Sequence, residues 1–319
     1  MTTSRHWRVP PEVAQRRLDF AVRRAFDLSW QQSRDYIARG KVSINGEGCR
    51  DAARLVAAGD TLTFDLDARN LPREEPDDLR QRVLFIDAHL VVLNKPPGLS
   101  TVPYDAADTD TVMARLQRSL AKGRPQDKDG GARRDSQLLL VHRLDRNTSG
   151  LMLFARSELA QRNLKTMLRK HAIERIYHAM VHGELLAPIT FRSQLLADRG
   201  DGLRGSWERA TEKARRQSPE GRLAVTHVRP LAPLRGATLV QCQLETGRTH
   251  QIRIHLAEAA HPLLGETLYL RDFTGTPLDA PRLCLHSATL ALHHPVSGAA
   301  LHFELPLPED METVRRRLA

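Results

Sequence analysis

A segment in the middle of the chain, Val141 to Ala155 (VHRLDRNTSGLMLFA), places one carboxylate, Asp145, in a short basic and polar turn between apolar runs. A lone acid with Arg143, Arg146 and His142 as sequence neighbours is expected to be ionised, because nearby positive charge favours the carboxylate form. Such a group is available as nucleophile or base. The structural alternative is an aspartate that closes an Asx turn or pairs with an arginine. Leu138 to Val141 is an apolar run long enough for a buried strand, HRLDRNTSG supplies the turn, and Leu151 to Phe154 forms a second strand-like run. Asp145 is therefore expected on a loop held by two strands.

The elements around that loop follow from hydropathy patterning. Strand-like runs recur at Arg82 to Asp87, Leu90 to Asn94, Leu138 to Val141, Leu151 to Ala155, Tyr177 to His182, Ala224 to Pro230, Thr238 to Glu245 and Leu301 to Leu305. Ser157 suits the N-cap of a helix running to Lys170, with Leu164, Met167 and Leu168 facing the core. Strands with irregularly placed helices predict an α+β fold with a mixed, mostly antiparallel sheet. Closer to the amino terminus, Leu18, Val22 and Phe26 mark a helix, Ser33 to Ala38 a second, and Lys41 to Asn45 a strand. Gly40 suits a helix C-cap, Asn45-Gly46 a tight hairpin, and Gly59-Asp60 a turn into a strand at Thr61 to Phe64.

These patterns divide the chain into a flexible start (1–15), a small α/β unit (16–67), a charged, proline-containing linker (68–81) and a large domain (82–319). Lys122 to Ser136 reads as an exposed loop of the large domain. Arg199 to Arg222 reads as a mobile RNA-contacting loop or a solvated hairpin. At 319 residues there is material for one large and one small core. Lys and Arg total 48 against 38 Asp and Glu, a net charge of +10. That balance favours a polyanion such as nucleic acid, although acidic membranes or proteins attract the same charge. Three scattered cysteines, Cys49, Cys242 and Cys284, fit a reduced cytoplasmic protein with neither disulfide scaffold nor structural zinc. No signal peptide or membrane span is evident, so no membrane association is expected.

Two resemblances sharpen these readings. RLDFAVRRAF, SRDYIARGKVSING and AAGDTLTF, within 16–67, resemble the S-four-type RNA-binding domain, which implies phosphate contacts from its basic residues, Arg34, Arg39 and Lys41 among them. Five segments resemble the RluA-type family of pseudouridine synthases: LVVLNKPPGLSTVP (90–103), HRLDRNTSGL around Asp145, RIYHAMVHGEL (175–185), LETGRTHQIRIHLAEAAHPLLGETLY (244–269) and LCLHSATLALHHP (283–295). The family isomerises uridine in RNA, breaking the glycosidic carbon–nitrogen bond, rotating the uracil and rejoining it through C5, with no redox change and no cofactor. The resemblance makes Asp145 the catalytic carboxylate, acting as nucleophile or as the base that removes a ribose proton. Tyr177 becomes the tyrosine stacked on the target base, where it can assist proton transfer at C5. Arg253 becomes the arginine paired with the aspartate.

Substrate contacts implied in the same way are Arg143, which can take the place of the flipped base, Leu285 beside the uracil, and Lys95 toward the RNA backbone or solvent. Arg248 and His250 bind phosphate or brace their loop. Arg175 stands where many relatives carry lysine, and Glu266 where aspartate is usual. HQIR is expected as a strand, in which Arg253 and Gln251 share one face and His250 and Ile252 the other, so their roles are expected to differ. The implied partner is structured RNA, large-subunit ribosomal RNA first and tRNA second, bound by a cytoplasmic monomer. Two rivals remain: an RNA-binding or ribosome-assembly factor without turnover, and a glycosidase, which would want a second carboxylate. A metal-dependent nuclease would want ligand triplets that the dispersed histidines do not form.

Overall fold

Leu18, Ala21, Val22 and Phe26, spaced at helical period, are all buried on one side of α1 (Leu18–Phe26). They pack within the first of two units into which the chain divides, Met1–Asp77 and Asp78–Ala319. The computed structural model describes residues 4–52, 54–68, 78–103, 109–121, 137–217 and 220–319, Gln31 by its backbone alone. In the first unit, α2 (Trp30–Ala38) begins at a capping box in which Ser29 and Gln32 exchange hydrogen bonds. A four-stranded antiparallel sheet follows the order β1-β4-β2-β3, built from β1 (Arg5–Arg8), β2 (Val42–Ile44), β3 (Glu47–Gly48) and β4 (Thr61–Phe64). The described part of the expected flexible start, residues 4–15, is thus not free. Arg5–Arg8 zips onto β4, and Val9 and Val13 are buried in the core, which fixes the segment. Asn45 and Gly46 both take positive φ, as the hairpin between β2 and β3 requires.

The second unit opens with a short 3₁₀ turn at Leu79–Arg82, whose Leu79 enters the core; the rest of the expected linker, 69–77, lies outside the described residues. Its strands are β5 (Val83–Ile86), β6 (Leu90–Lys95), β7 (Leu139–Leu140), β8 (Ser149–Ala155), β9 (Glu174–His182), β10 (Ile189–Leu196), β11 (Gly205–Ser206), β12 (Arg222–Leu234), β13 (Ala237–Leu244), β14 (Leu285–His293) and β15 (Ala300–Glu304). The helices are α3 (Val112–Ala121), α4 (Glu158–Arg169), α5 (Glu212–Gln217), α6 (Gln251–Glu258) and α7 (Glu309–Leu318). Eleven strands form one sheet in the order β11-β10-β12-β13-β9-β14-β8-β6-β5, with β15 on β14 and β7 on β8. Every pairing in it is antiparallel except β14 with β8. The fold is α+β, as its patterning implies.

Strand β8 is buried at every residue because α4, capped by Ser157, and β6 and β14 enclose it. The expected loop at Lys122 to Ser136 lies outside the described residues. Arg199 to Arg222 is neither a bare loop nor a simple hairpin. It carries β11 and α5, and Arg199 is locked to Asp201 at 3.0 Å. All three cysteines are buried free thiols. Among the described residues no helix is long and apolar enough to cross a membrane, and no three His, Cys, Asp or Glu side chains cluster so as to hold a metal.

Candidate active site

Asp145 stands on the turn between β7 and β8, facing a cavity of about 540 Å³ whose wall includes Arg143, Tyr177, Arg248, His250, Arg253 and Leu285. The turn is held from beneath by the residues after β6. Thr101 donates to the Leu144 carbonyl at 2.8 Å and accepts from the Leu144 N–H, while Arg146 Nε donates to the Gly98 carbonyl. Lys95 is fully buried and its ammonium donates to the carbonyls of Pro96, Arg146 and Thr148 at 2.8, 3.0 and 2.8 Å. It therefore touches neither phosphate nor solvent. At the end of β6, opposite Gly150, its side chain runs under the turn, where three carbonyls substitute for water. Burial pushes its pKa down to about 7, against the pull of Asp145.

Arg253 reaches the carboxylate from α6, its Nη1 lying 3.4 Å from Asp145 Oδ2. Its firmer partner is Glu266, which accepts from Nε at 2.7 Å and from Nη2 at 2.6 Å in a two-pronged pair. Glu266 is inaccessible and also accepts from the N–H groups of Thr267 and Leu268. Burial acts to raise its pKa, but the Arg253 hydrogen bonds and charge, with the two amides, bring it below the ordinary value. Burial likewise opposes the Arg253 charge, and Glu266 and Asp145 outweigh it, so the guanidinium is held more firmly protonated than usual. Sequence patterning gave no sign of this pair, since its members are separated along the chain and meet only through tertiary folding.

HQIR is not a strand. His250 takes a left-handed backbone (φ 59°) and caps α6, which starts at Gln251. In a helix it is i and i+3 that share a face, so His250 and Arg253 point together at Asp145, with His250 Nε2 3.9 Å from Oδ1. Gln251 turns away and braces the loop, donating to Val225 and accepting from Thr246 and the Arg248 N–H. His250 Nδ1 lies 2.7 Å from the Tyr269 hydroxyl, and Arg253 lies over the Tyr269 ring at 5.3 Å. Burial lowers the His250 pKa despite the pull of Asp145, so the ring is neutral at physiological pH.

Tyr177 is buried in β9, with its hydroxyl bonded to Ser287. Burial raises its pKa, so it presents a neutral ring and hydroxyl rather than a phenolate. Arg175, also buried, donates to the carbonyls of Leu244 and Glu245, and its Nε has no partner. His142 is not one of the positive neighbours of Asp145. Burial drives its pKa down to about 3, and its Nε2 accepts from the Leu153 N–H. Arg143 is exposed at the rim and forms no ion pair with Asp145. Arg248 is exposed too, its Nε donating to the Leu223 carbonyl, and Leu285 is buried at the start of β14. The cations picked out in the N-terminal unit are internally engaged. Arg34 pairs with Asp19 and Arg39 with Asp35, while Lys41 donates to the carbonyls of Leu66 and Ala68. Lys41 is drawn there because it leaves α2 beside the chain that follows β4.

At the junction of the sheet, β8 and β14 meet so closely that a Cβ on Gly150 (φ 105°) would lie 2.2 Å from the Ser287 carbonyl oxygen. Only glycine fits there. This contact sets the Asp145 turn beside Ser287, the partner of Tyr177.

One carboxylate backed by a doubly held arginine, in a cavity that a neutral tyrosine also lines, is suited to acid–base or covalent chemistry. The chain belongs to the RNA pseudouridylate synthase family, which matches residues 89–258. It is 33% identical over 307 residues to the ribosomal large subunit pseudouridine synthase D of Zymomonas mobilis subsp. mobilis, covering 91% of this chain and 90% of that one. The proteins of the same name from Vibrio cholerae and Escherichia coli K12 are 33% and 30% identical, each over 92% of this chain, with 89% and 88% of their own lengths covered. Among solved structures, human RNA pseudouridylate synthase domain containing 4 shares the fold at a TM-score of 0.56 and 23% identity, over 76% of this chain and 95% of that one.

Proposed function

We propose that this enzyme isomerises specific uridines of large-subunit ribosomal RNA, with Asp145 as the catalytic carboxylate. The observation that carries the reading is the cavity that brings Asp145, Arg253 and Tyr177 together, in a chain similar over nine-tenths of its length to large-subunit enzymes. The bond from C1′ to N1 breaks and one from C1′ to C5 forms; C5 loses a proton and N1 gains one, so atoms and electrons balance without an external reagent. Arg253, fixed by Glu266, orients the carboxylate toward the sugar. The Tyr177 ring supports the flipped uracil and, being neutral, offers its hydroxyl as a hydrogen-bond group. Leu285 excludes water beside the base, while Arg143 and Arg248 at the rim meet the displaced helix and its phosphates. The small N-terminal unit acts as an S-four-like RNA grip. We place it in the cytoplasm as a monomer, and its three buried free thiols suit a reducing compartment.

The test is single-nucleotide pseudouridine mapping of ribosomal RNA and tRNA from cells lacking the protein, complemented with wild type or Asp145→Asn. Particular ribosomal sites should vanish and return only with wild type, while the variant binds RNA about as well. Turnover by the variant removes Asp145 from its role. Loss confined to tRNA sites moves the substrate to tRNA, and an unchanged map leaves an RNA-binding factor.

A further inference from the structure

The α1–α2 face of the N-terminal unit carries an arrangement that the isomerisation does not use. Trp30, first residue of α2, is 43% exposed and does not belong to the core that buries Val22, Phe26 and Ile37. Its neighbours are cations and one ring. The Arg23 and Arg34 guanidinium carbons lie over the indole at 5.2 and 5.8 Å from its centroid, where a base and its phosphates would take their place, and Arg16 lies over Phe20 at 5.7 Å, itself 6.3 Å from Trp30. Part of this surface is anchored from below. Asp19, inaccessible to solvent, accepts from Arg34 Nε at 3.1 Å and from Arg17 Nη2 at 2.9 Å, so its carboxylate is already committed and two guanidiniums are fixed in place.

A protein partner that buried Trp30 would have to desolvate these arginines as well, which an apolar patch could not compensate. A duplex would offer phosphates but no open base. An unpaired nucleotide offers both, a π face for the indole and phosphates for the guanidiniums, and guanidiniums themselves stack on bases. We propose that Trp30 is a stacking platform for an unpaired RNA base, with Arg23 and Arg34 holding the neighbouring phosphates. The proposal rests on the RNA-directed function above and adds the kind of RNA that the small unit takes: a loop, bulge or end rather than a helix.

The test uses the full chain, an RNA hairpin with an oligouridine loop, and a blunt duplex of the same stem, at low salt. Emission of the wild type minus that of Trp30→Phe isolates Trp30. The hairpin should quench it and the duplex should not. Trp30→Ala, at an exposed position, should weaken hairpin binding about tenfold with an unchanged salt slope, and Trp30→Phe should recover most of the loss. Arg23→Gln should lower the slope by about 0.7. Hairpin binding with Trp30 emission unchanged, or undiminished in Trp30→Ala, overturns the platform and leaves the RNA function standing. Equal quenching by hairpin and duplex makes the face a phosphate site and also overturns it. A wild type that binds neither RNA also overturns the platform, while the RNA function stands or falls on the pseudouridine map.

Discussion

Replacing Glu266 by Gln tests how Arg253 is held beside Asp145. The glutamine oxygen can keep the N–H groups of Thr267 and Leu268 together with Arg253 Nη2, which all meet the same oxygen, but its amide then turns N–H toward Arg253 Nε, where a charge-assisted bond of 2.7 Å stood, and the negative charge is gone. Arg253 would be a buried cation whose remaining anion is Asp145 at 3.4 Å. Removing one partner of a buried pair costs about 3–5 kcal/mol. For a unit of this size that lowers Tm by roughly 10 °C. Arg253 then swings toward Asp145 and competes with substrate for it, so kcat falls on the order of a hundredfold for a displacement of about an ångström.

The pH dependence follows from the depressed pKa of Glu266. Its stabilisation is complete above the unfolded value of 4.5 and is lost as pH falls through the lower folded-state value. Wild type and Glu266→Gln should therefore differ most near neutrality and converge in acid. Urea unfolding of the single variants and of Glu266→Gln/Arg253→Met closes a cycle. The double variant buries no lone charge and should cost at least about 2 kcal/mol less than the two singles summed. A loss under about 1 kcal/mol in Glu266→Gln, or singles that add, would show that Glu266 does not hold Arg253.

Two further outcomes test the scaffold of the Asp145 turn. Lys95→Met keeps the length of the side chain but leaves three buried carbonyls without a donor, so stability should fall by about 3 kcal/mol or more by urea unfolding, with kcat falling further than RNA affinity. An unchanged kcat in the folded variant would make the lysine a core filler only. Gly150→Ala places a Cβ into the Ser287 carbonyl and forces a positive φ on alanine. A destabilisation above about 3 kcal/mol in thermal melts is expected, and a loss under about 1 kcal/mol would show that β8 and β14 can separate freely.

Much of the scaffold is legible because it obeys short-range rules. Apolar runs bounded by turns mark β6, β9 and β13, and Ser157 marks the start of α4. Helix α6 misleads for a physical reason. Ile252, Ile254 and Leu256 alternate with Gln251, Arg253 and His255, which reads as a strand, yet all six are buried, so no solvent face remains to impose a helical period. Polar partners satisfy the intervening residues: Thr226 for Gln251, Glu266 for Arg253, Ser193 and Thr226 for His255. Strand β10 escapes because ITFRSQLL mixes exposed and half-buried positions. Asp145, Tyr177 and Arg253, which line one cavity, are joined in the sequence only by the family resemblance of their segments. The burial of Lys95 is hidden because the carbonyls that neutralise its cost lie on a segment about fifty residues away.

The wide sheet is less a slab than two wings. Across its middle β8 and β14 share only the rungs His286–Ser149 and Ser287–Gly150, beyond which β8 turns to β6 and β14 to β15. The Asp145 turn rides on one wing, and Tyr177 rides on the other. In the proposed isomerisation uracil must turn over between the breaking of one bond and the making of the next, and the Asp145 and Tyr177 walls of the cavity in which it would do so stand on different wings. A two-rung ladder, with no room for a Cβ at Gly150 and a Ser149–His286 hydrogen bond on the other rung, ties the wings together at the centre. The outlying strands β10, β11 and β5 can be lengthened or redecorated to grip a different RNA without changing the gap in which the base rotates.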